Sequence, residues 1–309
     1  MGSSLSSAQQ RLVSVGLPIR NGAATLRRAL DSVVAQTYAN LEIIISDNQS
    51  SDETESICRE YTARDPRVRY IRQAQPLTAV ENFRAVADAS HGEYFLWAAY
   101  DDLRDPNYVE TLLRGLDRHP DASICFSEVA EFTSLQAHEV AEHIQHRFQT
   151  LGLSFMDVVR QQTSTYCLHI YGLIRSSYLS DYPWFSPTEG WDVPLLFWLA
   201  MRGPFVFEPG TTFTYFRSAE GVSNEQRALI NNFRPLSLWW PEELAWACAG
   251  AIADGTRRAG HPIHRGRALA IMYFHILQGW RGIVARWTPR PVIKAYRLIR
   301  PRRRAPASA

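Results

Sequence analysis

Cysteine is scarce: the 309 residues hold four, Cys58, Cys125, Cys167 and Cys248, and no two stand at C-x-x-C spacing. That scatter argues against a disulfide framework or a zinc cluster of paired cysteines, so reduced thiols in a cytoplasmic setting are expected. Neither G-x-x-x-x-G-K-[ST] nor G-x-G-x-x-G occurs, which removes the glycine-loop phosphate cradles. Also missing is any uninterrupted apolar stretch of the roughly 18 residues a membrane-spanning helix needs. Even the most apolar C-terminal segment is broken by arginines. Met1 to Gln10 is Ser-rich and uncharged, without the basic start and apolar centre of a secretory signal. The histidines of residues 137–146 fail as a metal motif: His138-Glu139 is followed by His143 at i+5, about 140° away around a helix, so the segment reads as solvated and polar.

Apolar residues are plentiful, at 46% of the chain, enough for one large domain with an appendage. The net charge of +2 conceals an asymmetry, because His264 to Ala309 holds eleven Arg or Lys and no Asp or Glu. A basic tail on an acidic body suits an anionic membrane surface better than specific reading of nucleic acid.

From Arg11 to Phe132 short β-branched runs alternate with helical periodicity, the pattern of a mostly parallel sheet flanked by helices in an α/β fold. Leu12–Leu17 reads as the first strand, ending at Pro18, and Leu26, Leu30, Val33 and Val34 form the buried stripe of the helix after it. Leu41–Ile45, Val68–Ile71, Tyr94–Ala98 and Ser123–Phe132 read as further strands. Between them lie helices with Ile57 and Tyr61, with Val80–Ala89, and with Val109, Leu112, Leu113 and Leu116. Tyr100–Pro106 reads as a loop. Farther on the pattern predicts a helix over Leu153–Gln162, a strand over Leu168–Ile174, a helix over Pro194–Met201, and strand material over Phe205–Phe216 interrupted at Pro209 and Gly210. Beyond Gly221 the pattern is helical.

Ligands of such sheets bind outside the carboxyl ends of the strands, which draws attention to Asn21, Asp47, Asp101 and Asp102. Two adjacent carboxylates directly after the apolar run EYFLWAAY are costly unless a cation or donors meet them. A divalent metal bridging a diphosphate would do so, and Mg2+ or Mn2+ needs only one or two protein carboxylates beside phosphate oxygens. A turn capped by the same two acids is the alternative. Asp105 before Pro106 reads as a helix N-cap.

The segments VSVGLPIRNGAATLRRALDSVVAQTYANLEIIISDNQSSDET and ASHGEYFLWAAYDD together resemble the inverting family 2 glycosyltransferases, enzymes of the GT-A (Rossmann-like) fold, and the resemblance extends over roughly the first 220 residues. It implies that Pro18, Ile19, Arg20 and Asn21 wrap the base and ribose of a nucleoside-diphosphate sugar donor, that Asp47 hydrogen-bonds the base, and that Asn48, Asn82, Tyr100 and Asp101 lie at the nucleotide. For Asn82 a plain helix-start role is the alternative. The family's metal motif implies Asp101 and Asp102 as metal residues. Where many relatives have a further Asp ahead of this pair, Ala99 stands here.

The run TEGWDVPLLFWLAMRGPFVFEP resembles the family's block with the catalytic base, which implies Asp192 as the group that takes the acceptor's proton, with Glu189 as its competitor. Trp184, Phe185 and Trp191 read either as an apolar wall against a sugar ring or as core. HIYGLIR resembles the acceptor-side strand and places Tyr171 and Gly172, with Glu189 and Trp191, at the sugar; Arg217 matches an arginine that approaches the diphosphate. Ala219 stands where relatives often have His.

The chain is therefore expected to divide into a disordered start (1–10), a GT-A domain (11–222), a helical C-terminal region (223–298) and a basic disordered tail (299–309). The expected activity is transfer of a sugar, with inversion, to a glycan or lipid-linked acceptor in cell-surface polysaccharide or glycolipid synthesis. A nucleotide-sugar-binding module weakened in chemistry is the alternative, prompted by Ala99 and Ala219. For the tail from Ala268 to Arg304 two readings stand: basic amphipathic helices on the inner face of the cytoplasmic membrane, or a helix packed on the catalytic domain. No nucleic-acid partner is expected.

Overall fold

The computed structural model describes residues 11–132, 142–144, 149–158, 167–184, 191–216, 240–264 and 266–270. Among them nine strands form one mixed sheet in the order β3-β2-β1-β4-β8-β6-β9-β5, with β7 added at β6. The strands are β1 Val13–Ile19, β2 Leu41–Asp47, β3 Val68–Arg72, β4 Tyr94–Trp97, β5 Leu103–Arg104, β6 Ile124–Phe132, β7 Glu142–Ile144, β8 Leu173–Arg175 and β9 Phe205–Phe216. The helices are α1 Ala23–Val34, α2 Thr54–Arg64, α3 Ala79–Asp88, α4 Tyr108–Arg118, the single turn α5 Ser176–Leu179, α6 Asp192–Arg202 and α7 Trp240–Arg258.

The first half is built as its periodicities dictate. β1 is paired in parallel with β2 and β4, and β2 with β3. β1 and β4, in the middle of the sheet, are buried along their whole length, whereas the edge strand β3 is partly exposed. The chain leaves β1 for β2 on one side and returns to β4 on the other, so a crevice opens at the carboxyl ends of β1 and β4. The helix stripes point inward as read: Leu26, Leu30, Ile57, Tyr61, Val109, Leu112, Leu113 and Leu116 are all buried. α3 starts at a reciprocal capping box of Thr78 and Glu81.

Five expectations need correction. β1 does not end at Pro18 but runs to Ile19. Gly16 C=O accepts from Ala98 N–H on the β4 side and Ile19 C=O accepts from Asn48 N–H on the β2 side. By the alternation of a strand Pro18 faces β4, where pairing has stopped at Trp97, so its missing N–H leaves no gap in the ladder. The stretch read as a strand over Leu168–Ile174 is a 3-10 turn, Cys167–Tyr171, followed by the short β8. β9 continues through Pro209 and Gly210, where three additional residues bulge out between its pairings with Phe126 and Glu128, Gly210 taking φ 93°. Within the expected loop Tyr100–Pro106, Leu103 and Arg104 form an edge strand on β9, and Asp105 is not an N-cap. Its carboxylate accepts from Thr212 N–H (2.8 Å) and α4 begins after Asn107.

α6 and α7 pack side by side, and Cys248, Ala249, Ala251 and Ile252 of α7 belong to the core that contains Trp97, Phe95 and Trp198. Of the polar segment 137–146, Glu142–Ile144 pairs with β6 as an edge strand. The predicted helix 153–162 is helical over residues 155–158 and not over 153–154; residues 159–162, Phe185, Glu189, Arg217, Ala219 and the tail beyond residue 270 lie outside the described residues.

Candidate active site

The crevice is lined first by the turn after β1. Asn21 sits in the left-handed region (φ 51°), which Asn tolerates, and its side-chain carbonyl accepts from Ser51 N–H (2.8 Å) while its own N–H donates to Ser50 Oγ (2.9 Å). The turns after β1 and β2 are thus stitched together. Gly22 follows, donating its N–H to Thr54 Oγ1. A Cβ there would stand 2.6 Å from the Tyr100 ring, so only glycine lets that ring close over the turn. This contact brings the residues after β4 onto the residues after β1. Arg20 contributes Nε and Nη1, both buried and without a hydrogen-bond partner.

Asp47 ends β2 and is fully buried. Its oxygens accept from Ser50 N–H (2.8 Å), Tyr70 OH (2.7 Å) and Arg72 Nη1 (3.0 Å), leaving about one of a carboxylate's roughly four acceptor positions. Tyr70 and Arg72 share one face of β3 by its period of two, and Arg72 lies opposite Asp47 in register. The sequence reading missed both, since only strand register connects them to Asp47.

Asn48 spends its amide on the backbone of Leu77, donating to its C=O (2.8 Å) and accepting from its N–H (2.7 Å). Asn82 is buried as well. It accepts from Ser46 Oγ (2.6 Å) and donates to Ser46 C=O (3.1 Å), with Ile19 C=O at 3.5 Å. These two asparagines tie the carboxyl ends of β1 and β2 to α3 and the loop before it.

Beyond β4, Asp102 is 1% exposed. One oxygen accepts from Phe216 N–H (2.9 Å) and the other, Oδ2, is buried without a hydrogen-bond partner. Burial pushes both acidic pKa values up, that of Asp101 by loss of water and that of Asp102 by loss of water and the charge of Asp101, against a weaker pull from Arg104. Arg104 is buried too, donates Nη2 to Trp97 C=O (2.7 Å), and lies over the Phe213 ring at 5.2 Å. Its Nε and Nη1 have no hydrogen-bond partner. It is the third residue the sequence reading passed over, although an arginine two places from an acidic pair was a usable signal. Among the described residues no group of three His, Cys, Asp or Glu side chains could surround a metal. A cation at this pair would share protein carboxylate with diphosphate oxygens, and the unpartnered Oδ2 of Asp102 fits that arrangement.

Asp192 opens α6 at its first position, partly exposed. Trp191 just before it packs against Trp97 (ring centroids 5.7 Å) and Phe83 (4.7 Å), and stacks on Trp184 at 6.3 Å. Trp184 holds φ 47°, which costs a bulky residue about 1–3 kcal/mol and is sustained by its packing against Trp97, Tyr182 and Trp191. Tyr171 stacks on Phe213 (5.1 Å) and its C=O accepts from Tyr108 OH. Gly172 is a close-approach position: a Cβ there would lie 2.5 Å from Cys125 C=O.

A doubly covered, mostly parallel sheet with acidic and amide side chains gathered at its switch point defines the GT-A class of nucleotide-dependent transferase folds. Residues 14–182, more than half of the chain, match the family model described as Glycosyl transferase family 2, and the chain belongs to that family. A Rickettsia typhi protein described as an uncharacterized glycosyltransferase is 31% identical over 151 residues, 48% of this chain and 46% of that one. The glycosyltransferase GlyA of Streptococcus pneumoniae is 29% identical over 155 residues, 50% of this chain and 21% of that one. The chain thus spans less than half the length of these curated relatives. Among solved structures, residues 1–349 of S. aureus TarS in complex with UDP-GlcNAc superpose with a TM-score of 0.62 at 12% identity, over 87% of this chain and 72% of that one. That likeness shows the shared fold.

Proposed function

We propose that the chain is an inverting glycosyltransferase that moves a sugar from a nucleoside-diphosphate sugar to an acceptor hydroxyl of a glycan or lipid-linked saccharide in cell-envelope synthesis. The observation that supports this most is the packing of Trp191 on Trp97, since Asp192 follows the first ring and Asp101 lies four residues past the second. That contact supports a reading in which these two carboxylates, distant in sequence, serve one crevice.

In this reading the residues from Pro18 to Asn21, closed by Tyr100, hold base and ribose. Asp47 fixes Tyr70 and Arg72 at the base and keeps one acceptor position for it, while Asn48 and Asn82 keep the strand ends in place. Asp101, with Asp102 behind it, would hold Mg2+ or Mn2+, which supplies positive charge against the departing diphosphate. Arg20, and Arg217 from outside the described residues, add donors to the same oxygens. Asp192 takes the proton from the acceptor hydroxyl as its oxygen attacks the anomeric carbon from the face opposite the leaving group; Tyr171, Gly172, Glu189 and Trp191 border the sugar.

General-base catalysis contributes roughly 100-fold to 10,000-fold. Asp192→Asn should lose turnover on that scale while still binding nucleotide, and a thermal-shift panel of UDP, GDP and dTDP with and without Mn2+ names the base by the shift it produces. Near-normal turnover of Asp192→Asn with an intact fold would overturn the assignment.

A further inference from the structure

Two buried side chains of opposite charge stand two residues apart in the segment that presents Asp101, and neither is fully paired. Asp102 keeps Oδ2 without a hydrogen-bond partner, and Arg104, 5% exposed, keeps Nε and Nη1 without one. Unmet polar groups in a core are costly, and a methionine at 104 would avoid that cost, so packing alone does not account for this arginine. What Arg104 does make is a bond across the root of a loop. Its Nη2 donates to Trp97 C=O (2.7 Å), which ties the end of β5 to the end of β4 and closes residues 98–103 into a ring. The Phe213 and Tyr108 rings, with centroids 5.2 Å and 5.7 Å from the guanidinium carbon, keep it there. The flank of the loop is tied by Asp102, whose Oδ1 accepts from Phe216 N–H (2.9 Å), and its tip by Tyr100, whose ring packs on Gly22. Asp102 and Arg104 lie on one face of this edge strand by its period of two, and each favours the ionised form of the other.

We propose that Arg104 and Asp102 are positioning residues for the cation: they fasten the loop that presents Asp101 and offset one another's charge, so that Asp101 is the carboxylate the cation meets. This rests on the transferase reading above for the cation itself. Asp101 is partly exposed whereas Asp102 is buried, and a divalent ion beside diphosphate oxygens needs only one or two protein carboxylates. A loop tied at root, flank and tip has little ordering left to lose when the ion binds, which preserves affinity. The charge of Arg104 works the other way, because a positive group beside the site repels a cation. By charge alone, removal of Arg104 would tighten cation binding. By position, its removal loosens the loop and weakens binding, so the sign of the change separates the two.

The test is Mn2+ titration calorimetry on the full chain, saturated with whichever of UDP, GDP and dTDP raises its melting temperature, and on Arg104→Met, Arg104→Lys, Asp102→Asn and Asp101→Asn. Lysine keeps the charge and a donor toward Trp97 C=O, and asparagine keeps an acceptor for Phe216 N–H. Mn2+ affinity should fall at least tenfold in Arg104→Met and recover at least threefold in Arg104→Lys. It should fall less than tenfold in Asp102→Asn but at least a hundredfold in Asp101→Asn. Should Arg104→Met unfold, the double variant Arg104→Met/Asp102→Asn removes both buried charges, an exchange cores tolerate, and should bind Mn2+ at least tenfold more weakly than Asp102→Asn alone. Unchanged or tighter binding in whichever of these two folds, or an equal loss in Asp102→Asn and Asp101→Asn, overturns the proposal. A nucleotide shift without any Mn2+ uptake overturns it too and leaves the transferase reading standing, whereas no nucleotide shift in the unaltered chain overturns both.

Discussion

A carboxylate with no exposure has to be met by donors, and the three groups on Asp47 show how much of this site consists of side chains serving other side chains. Tyr70→Phe removes one donor and should cost about 1–3 kcal/mol in urea unfolding, the usual loss for a hydrogen bond to a charged group. Gly172→Ala forces a methyl against the Cys125 carbonyl and should destabilise by about 1–3 kcal/mol in the same measurement, as overpacking against backbone does. Burial pushes the Cys58 thiol from its ordinary 9.0 up to about 12, and raises Cys125 and Cys248 as well. The unfolded thiol ionises first, so the contribution of Cys58 to stability is complete below about pH 9 and is lost as pH climbs toward 12. At pH 8 no more than one of the four thiols should react with a chromogenic disulfide until the chain is unfolded; reaction of two or more contradicts this burial. At this scale Asp47 and Asp101 stood out as acids at strand ends, and Asp192 through the resemblance of its segment to the family's block with the catalytic base. Tyr70, Arg72 and Arg104 were hidden, because their roles depend on which strand lies beside which.

The strands and helices of the first 132 residues were readable because period and punctuation agreed there, and the disagreements have local causes. Pro18 reads as a stop, but a proline costs a strand nothing where the neighbouring strand has already turned away. Pro209 and Gly210 read as a break, but the additional residues bulge and the pairing resumes. The apolar run from Leu168 suggested a strand, whereas a 3-10 turn brings Gly172 close against the Cys125 carbonyl of β6. Asn82 is the tie between elements whose removal should be felt at the ligand. Asn82→Ala removes the acceptor of the buried Ser46 hydroxyl, whose oxygen still accepts from Gln73 Nε2 (2.8 Å), and the side-chain donor on Ser46 C=O. It should lower stability by about 1–3 kcal/mol, and it should weaken nucleotide affinity more than a surface alanine on the same helix, measured by titration calorimetry.

At the scale of the molecule, two cores among the described residues flank the sheet, and α7 closes the second by packing on α6. No helix among the described residues is long and apolar enough to cross a membrane. The basic stretch from His264 onward carries charge suited to an anionic lipid surface, and vesicle binding that survives its removal would contradict that assignment. The indoles of Trp97 and Trp191 hold the segment after β4 beside the start of α6, and the proposed function requires the two to share one opening. A crystal of the chain with manganese and whichever nucleoside diphosphate raises its melting temperature tests this most directly. The anomalous map should place the metal on the Asp101 carboxylate with the terminal phosphate between it and Asp192. Metal density at any other residue, or Asp192 opening onto a surface separate from the phosphate, would contradict the account.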